Sequence, residues 1–189
     1  MKSIKLTSLL FVVLSLQGCA GLFIAGAATT AVVITDERSP SLMLKEKDLE
    51  FEITGLANKD PYRFNTRISA NVYNGRTLLI GQAKTEALKQ QLNDQIQALD
   101  GVKVLYNKIE VREPLTFTEV NNDTWITTKV KSALLTEGEL NSINIKVITE
   151  NGHVYLIGLV TPEQGDLATN VARNIKGVKS VVKAFDYGE

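Results

Sequence analysis

The sequence predicts an α+β protein built from two tandem copies of one small unit. Three observations carry that prediction. An eight-residue stretch, Asn74-Gly75-Arg76-Thr77-Leu78-Leu79-Ile80-Gly81, returns as Asn151-Gly152-His153-Val154-Tyr155-Leu156-Ile157-Gly158. Each copy is preceded and followed by apolar residues at helical spacing. Each also ends in a β-rich run after a glycine: Val104 to Val111 after Gly101, and Ser180 to Phe185 after Gly177. A repeat of this length is one supersecondary unit used twice.

Within a copy the order is helix, strand, strand, helix, strand. Leu49, Ile53, Leu56 and Ala57 define the apolar stripe of the first helix, and Ile126, Val130, Ala133 and Leu134 define its counterpart. The alternation Ile68-x-Ala70-x-Val72 reads as a strand with one buried face, matched by Ile145, Val147 and Thr149. Asn74-Gly75 and Asn151-Gly152 are the residues a type I′ hairpin demands, because both central positions need positive φ. Thr77 to Ile80 then forms the returning strand. Gly81 and Gly158 are expected to clear the crossover that follows. The second helix carries Leu88, Leu92, Ile96 and Leu99, or Leu167, Val171, Ala172 and Ile175 in the other copy, with Gly101 and Gly177 expected just past its C-terminus. A three-stranded mixed sheet packed against two helices results in each unit.

The N-terminus is of another kind. Lys2 and Lys5 precede an apolar run from Leu6 to Leu16 of about 11 residues, export-signal length and too short to span a bilayer. The run ends in Leu16-Gln17-Gly18-Cys19 rather than in an A-x-A-like site. This resembles the lipobox of bacterial lipoproteins, in which the cysteine receives diacylglycerol and, after cleavage, an N-acyl chain such as palmitate. A buried small hydrophobe at Cys19, or an uncleaved anchor running on through Ala20 to Thr35, are the competing readings. Ala20, rather than Asp, after the cysteine implies the outer membrane, with the chain facing the periplasm. The expected division is a signal peptide at 1–18, a lipidated tether at 19–47, units at 48–112 and 123–187, and a linker at 113–122.

Composition narrows the function. Lys and Arg together number 21, as do Asp and Glu, so the net charge is zero and no basic excess favours nucleic acid. One cysteine and one histidine, His153, cannot build a metal site or a nucleophile–base pair, and Asn-Gly hairpin turns are not phosphate cradles. His153 is expected to be exposed and without a carboxylate partner. The reading is a non-enzyme with no cofactor beyond the lipid on Cys19.

The order of elements, together with N-G-x-V-x-L-x-G and a later G-V, resembles the BON domain. Its sharpest local match is Asn122-Asp123-Thr124-Trp125-Ile126-Thr127-Thr128-Lys129-Val130. Two such units behind a lipobox resemble the dual BON-domain outer-membrane lipoproteins. The resemblance implies association with anionic phospholipid and a part in envelope integrity, without catalysis.

The residues point independently to one surface. At about 100° per residue, Trp125, Thr128, Ser132 and Leu135 lie opposite the core stripe of the second unit's first helix, flanked by Lys129 and Lys131. An indole, an aliphatic side chain and ammonium groups suit a shallow contact with an anionic membrane. The corresponding face of the first unit carries Asp48, Phe51, Gly55 and Asn58 beside Glu52, with Glu50 nearby, and is unsuited to anionic lipid. Asp123 or Thr124 is expected to cap the second unit's helix. Trp125 packing against the other repeat or the 113–122 linker is the alternative, and Tyr73 is open to the same two readings. A second functional class also remains: an adaptor docking on outer-membrane assembly proteins, with exposed sheet edges suited to strand addition.

Overall fold

In a computed structural model of the chain, residues 38–140 and 145–187 are described, and they belong to one compact unit. The first repeat runs α1 (Pro40–Ala57), β1 (Thr66–Tyr73), β2 (Arg76–Ala83), α2 (Glu86–Gln97) and β3 (Val104–Val111). The second runs α3 (Phe117–Thr136), β4 (Lys146–Glu150), β5 (His153–Leu159), α4 (Pro162–Arg173) and β6 (Ser180–Asp186). The signal sequence, the Cys19 lipobox and most of the expected tether lie outside the described residues.

Each repeat is a mixed three-stranded sheet. β2 lies in the middle, antiparallel to β1 and parallel to β3, and β5 holds the same place between β4 and β6. The hairpins close as expected: Asn74 and Gly75 have φ of 50° and 74°, Asn151 and Gly152 of 50° and 76°. Gly81 does a different job from the one expected. It pairs with Ile68 inside β2, and a Cβ there would stand 1.9 Å from the Arg67 carbonyl oxygen of β1, so the neighbouring strand excludes a side chain. Gly101 and Gly177 likewise lie in turns beyond α2 and α4, which end at Gln97 and Arg173.

Two first-helix boundaries move outward. α1 begins at Pro40, inside the expected tether, because Ser39 accepts a hydrogen bond from Leu42 N and proline suits the first helical position. α3 begins at Phe117 and absorbs most of the expected linker, because Thr116 and Glu119 form a reciprocal capping box. Asp123 and Thr124 are therefore not caps. Asp123 is buried more than a turn into the helix, and its carboxylate accepts from Asn151 N at 2.7 Å and Gly152 N at 2.8 Å, tying α3 to the hairpin. Glu46 of α1 occupies the equivalent position and accepts from Asn74 N.

The helices cover one face of each sheet. Leu49, Ile53, Leu79, Leu92 and Ile96 anchor the first core, and Ile126, Val130, Leu134, Leu156 and Ala168 the second. The opposite faces pack on each other through Leu78 and Ile80 from β2 and Tyr155 and Ile157 from β5, with Tyr73, Ile148, Val182 and Ala184 around them. β2 and β5 are consequently buried on both faces, not one. Polar ties cross the same boundary. Glu150 accepts from Arg67 and from Gln82 Nε2 at 2.7 Å, while Gln82 Oε1 accepts from Leu115 N at 3.2 Å. Asn151 Nδ2 donates to Glu110 at 2.8 Å. Burial first, then the carboxylates of Glu110 and Glu150, push the Tyr155 hydroxyl up to about 12.

Candidate functional site

α3 is fixed at its start, along one side and across the sheet, which leaves its outer face as a rigid platform. At the start, Glu119 accepts from Thr116 N at 2.7 Å and from Arg112 Nη2 at 2.7 Å, and Thr116 Oγ1 accepts from Glu119 N. The Thr116 backbone bond, followed by Arg112, holds the Glu119 carboxyl at about 2. Along the inner side, Ile126, Val130 and Leu134 are at most 1 % exposed. Across the sheet, Thr127 Oγ1 donates to Thr149 Oγ1 at 2.7 Å, beside the Asp123 clamp.

The outer face carries the six residues singled out from the sequence for lipid contact. Trp125 is 59 % exposed and Leu135 68 %, and Thr128, Lys131 and Ser132 are exposed between them. Lys129 is half-buried, its Nζ 4.8 Å from the centre of the Trp125 ring. That contact lays the lysine stem along the indole and keeps the charge beside it. Neither Lys129 nor Lys131 forms an ion pair with another described residue. Trp125 is not part of the inter-repeat cluster, and residues 117–122 of the linker named as its other packing partner belong to its own helix. Tyr73 does belong to that cluster, with the Arg38 guanidinium 3.8 Å above its ring.

Phe117 is the residue that sequence reading missed. It is 80 % exposed and, about five turns before Leu135, points in the same direction. The apolar stripe Phe117–Trp125–Leu135 is thus roughly 27 Å long. Thr116-Phe117-Thr118-Glu119 was the available clue, since S/T-x-x-E is a helix-start signature.

The same face of α1 is differently equipped. Asp48 stands where the second repeat has Trp125, Glu52 where it has Lys129, and Asn58 where it has Leu135. Exposed Leu44 and Phe51 lie among these acids. His153 departs from expectation: it is half-buried, its Nε2 3.4 Å from Glu110 and its Nδ1 2.7 Å from Ser180 Oγ, so it bridges the two repeats. Among the described residues no group of His, Cys, Asp and Glu could hold a metal ion, and no helix is long and apolar enough to cross a membrane.

A mixed three-stranded sheet with two helices on one face, used twice with Asn-Gly hairpins, is the architecture of a known module, and the BON domain model matches residues 45–113 and 122–189. The chain belongs to the BON-domain family. Outer membrane lipoprotein DolP of Haemophilus influenzae is 38 % identical over 97 % of this chain and 95 % of its own length. A 21 kDa hemolysin of Actinobacillus pleuropneumoniae is 39 % identical over 80 % of this chain and 79 % of its own. Osmotically-inducible protein Y of Escherichia coli K12 is 29 % identical over 62 % of this chain and 60 % of its own. These relationships place the chain among the dual-BON, lipid-anchored outer-membrane lipoproteins of the DolP type.

Proposed function

We propose that the second BON domain binds anionic phospholipid through the outer face of α3, and that this contact serves outer-membrane integrity. The observation that carries this reading is the stripe of Phe117, Trp125 and Leu135, solvent-facing and accompanied by Lys129 and Lys131. Aromatic rings suit headgroup depth, and a surface lysine adds about 1 kcal/mol of attraction to an anionic leaflet. Thr128 and Ser132 keep the centre of the stripe polar, which favours a contact lying on the surface over insertion. The role is one of binding rather than catalysis.

Lipid on Cys19 would supply the permanent anchor. A protein held there needs no further affinity to stay on its membrane, so the α3 contact would select position and lipid instead, helped by high effective concentration. The test is sedimentation with vesicles of anionic or zwitterionic lipid, using the chain without residues 1–19. Trp125→Glu should lower binding to anionic vesicles by about tenfold or more, the loss of one interfacial aromatic plus an added repulsive charge. Equal binding by wild type and variant, or no preference for anionic vesicles, would remove the reading. A second reading, docking of the first domain on outer-membrane assembly proteins, is favoured by exposed Leu44 and Phe51 among the acids of α1.

A further inference from the structure

Between the two sheets the packing is incomplete, leaving a crevice of about 300 Å³. Its floor is apolar, formed by Leu78, Ile157, Val182 and Ala184, and Tyr106 stands half-exposed beside it. Two of its features go unused by the fold. Asn71, only 6 % exposed, has an amide nitrogen with no hydrogen-bond partner, although such a group costs about 1–3 kcal/mol when buried unsatisfied. Arg76 and Lys108, both exposed, face no carboxylate partner among the described residues.

Sheet register shows how these features converge. Asn71 pairs with Leu78, and Leu78 with Tyr106, forming one row across the first sheet. Arg76 lies on the adjacent same-face row on one side and Lys108 on the other, since Arg76 pairs with Tyr73 and Lys108 with Ile80. Residues two apart on a strand are roughly 7 Å apart, so both cations flank the row that holds the idle amide. The crevice is also lined by Lys183, which is paired with Asp166, and by the carboxylate of Asp186. An apolar floor, an unsatisfied donor and the two cations Arg76 and Lys108, unpaired among the described residues, suit a ligand with a hydrocarbon chain and an anionic oxygen head turned toward those two cations.

We propose that this crevice binds a small amphiphilic anion, a single acyl chain ending in carboxylate or phosphate. The chain lies against Leu78 and Val182. The head takes the Asn71 amide hydrogen and sits between Arg76 and Lys108. This site is separate from the outer face of α3, and none of its residues belongs to that helix.

The test is photolabelling of the full chain in native membranes with a medium-chain fatty acid bearing a diazirine, followed by mapping of the labelled peptides. Label is expected on residues 71–78 and 182–186. Removing a hydrogen bond to a charged head should cut it about tenfold in Asn71→Leu. A similar loss is expected in Arg76→Gln combined with Lys108→Gln, whose exposed positions leave folding intact. Trp125→Glu should leave this labelling unchanged, which separates it from the α3 contact. Competition by unlabelled decanoate identifies a carboxylate head, and competition by a lysophosphatidylglycerol a phosphate head; either supports the site. Label confined to α3, label that survives both sets of substitutions, or displacement by neutral decanol as effectively as by decanoate would overturn it.

Discussion

Single residues explain why two copies of one unit are not equivalent. Thr77 of β2 is fully buried and its hydroxyl has no partner, whereas Val154 holds the same place in β5, equally buried and with nothing to satisfy. A buried hydroxyl without a hydrogen bond is a net cost, and valine keeps the branched shape without it. Thr77→Val should therefore stabilise the protein by about 1 kcal/mol, read as a rise in Tm in thermal melts. A fall would mean that Thr77 has a partner in solution. Asp48 against Trp125 and Glu52 against Lys129 are differences of the same kind on the outside. One substitution per position turns a face carrying an indole and an ammonium group into one carrying two carboxylates. The charge contrast was readable directly, because which residues share the outer side of a helix follows from spacing; whether another layer covers that side does not.

At the scale of the element, the start of α3 decides how much of the stripe exists. The capping box sets Phe117 in the first turn, so the stripe extends to its full length only while that turn is ordered. Thr116→Ala should cost about 1 kcal/mol and fray the helix start. Faster amide exchange at 117–120 and weaker binding to anionic vesicles, with 126–134 still protected, would be the observable pair. Glu119 makes the same turn resistant to acid. Its folded-state carboxyl lies at about 2, below the ordinary 4.5, so its contribution is present above the ordinary value and is lost only as pH falls through about 2. The sequence pattern gave the core stripe of this helix correctly and its start wrongly. Apolar periodicity begins at Ile126, but a helix begins where its free N–H groups find acceptors, and that was Thr116.

Across the whole molecule, the two repeats are joined by more than a chain connection. Their sheets share an apolar layer, and Glu150 of the second repeat serves Arg67 and Gln82 of the first. Arg67 is partly exposed, so the pair is worth less than a fully buried one; Gln82 is fully buried and has both ends of its amide engaged. Glu150→Ala should cost about 2 kcal/mol by leaving Gln82 half satisfied and Arg67 unpaired. If the interface holds the repeats together, the variant's thermal unfolding should move toward two transitions, one per repeat, in calorimetry. A single unshifted transition would show that the layer of Leu78, Ile80, Tyr155 and Ile157 suffices without the polar ties. His153 bridges to Glu110 across the same boundary, a contact that its place beside a hairpin turn does not reveal in sequence.

Much was determined by sequence alone. Periodicity, Asn-Gly turns and the internal repeat specify which residues face the helices, where the hairpins close and which face of α3 points away from its own core, because those follow from short-range geometry. The second face of each sheet was different. Leu78-Leu79-Ile80 and Val154-Tyr155-Leu156-Ile157 place apolar residues on both sides of the strand, as strands buried on two faces must. A repeat read by itself has only one partner layer to offer them. Tertiary structure alone decided that this layer is the other sheet, since the residues that meet there are far apart in the chain and nothing local encodes their approach. That decision hides Tyr73, pairs His153 and leaves Trp125 exposed on α3. It also opens the crevice beside Asn71, which no spacing rule could reveal.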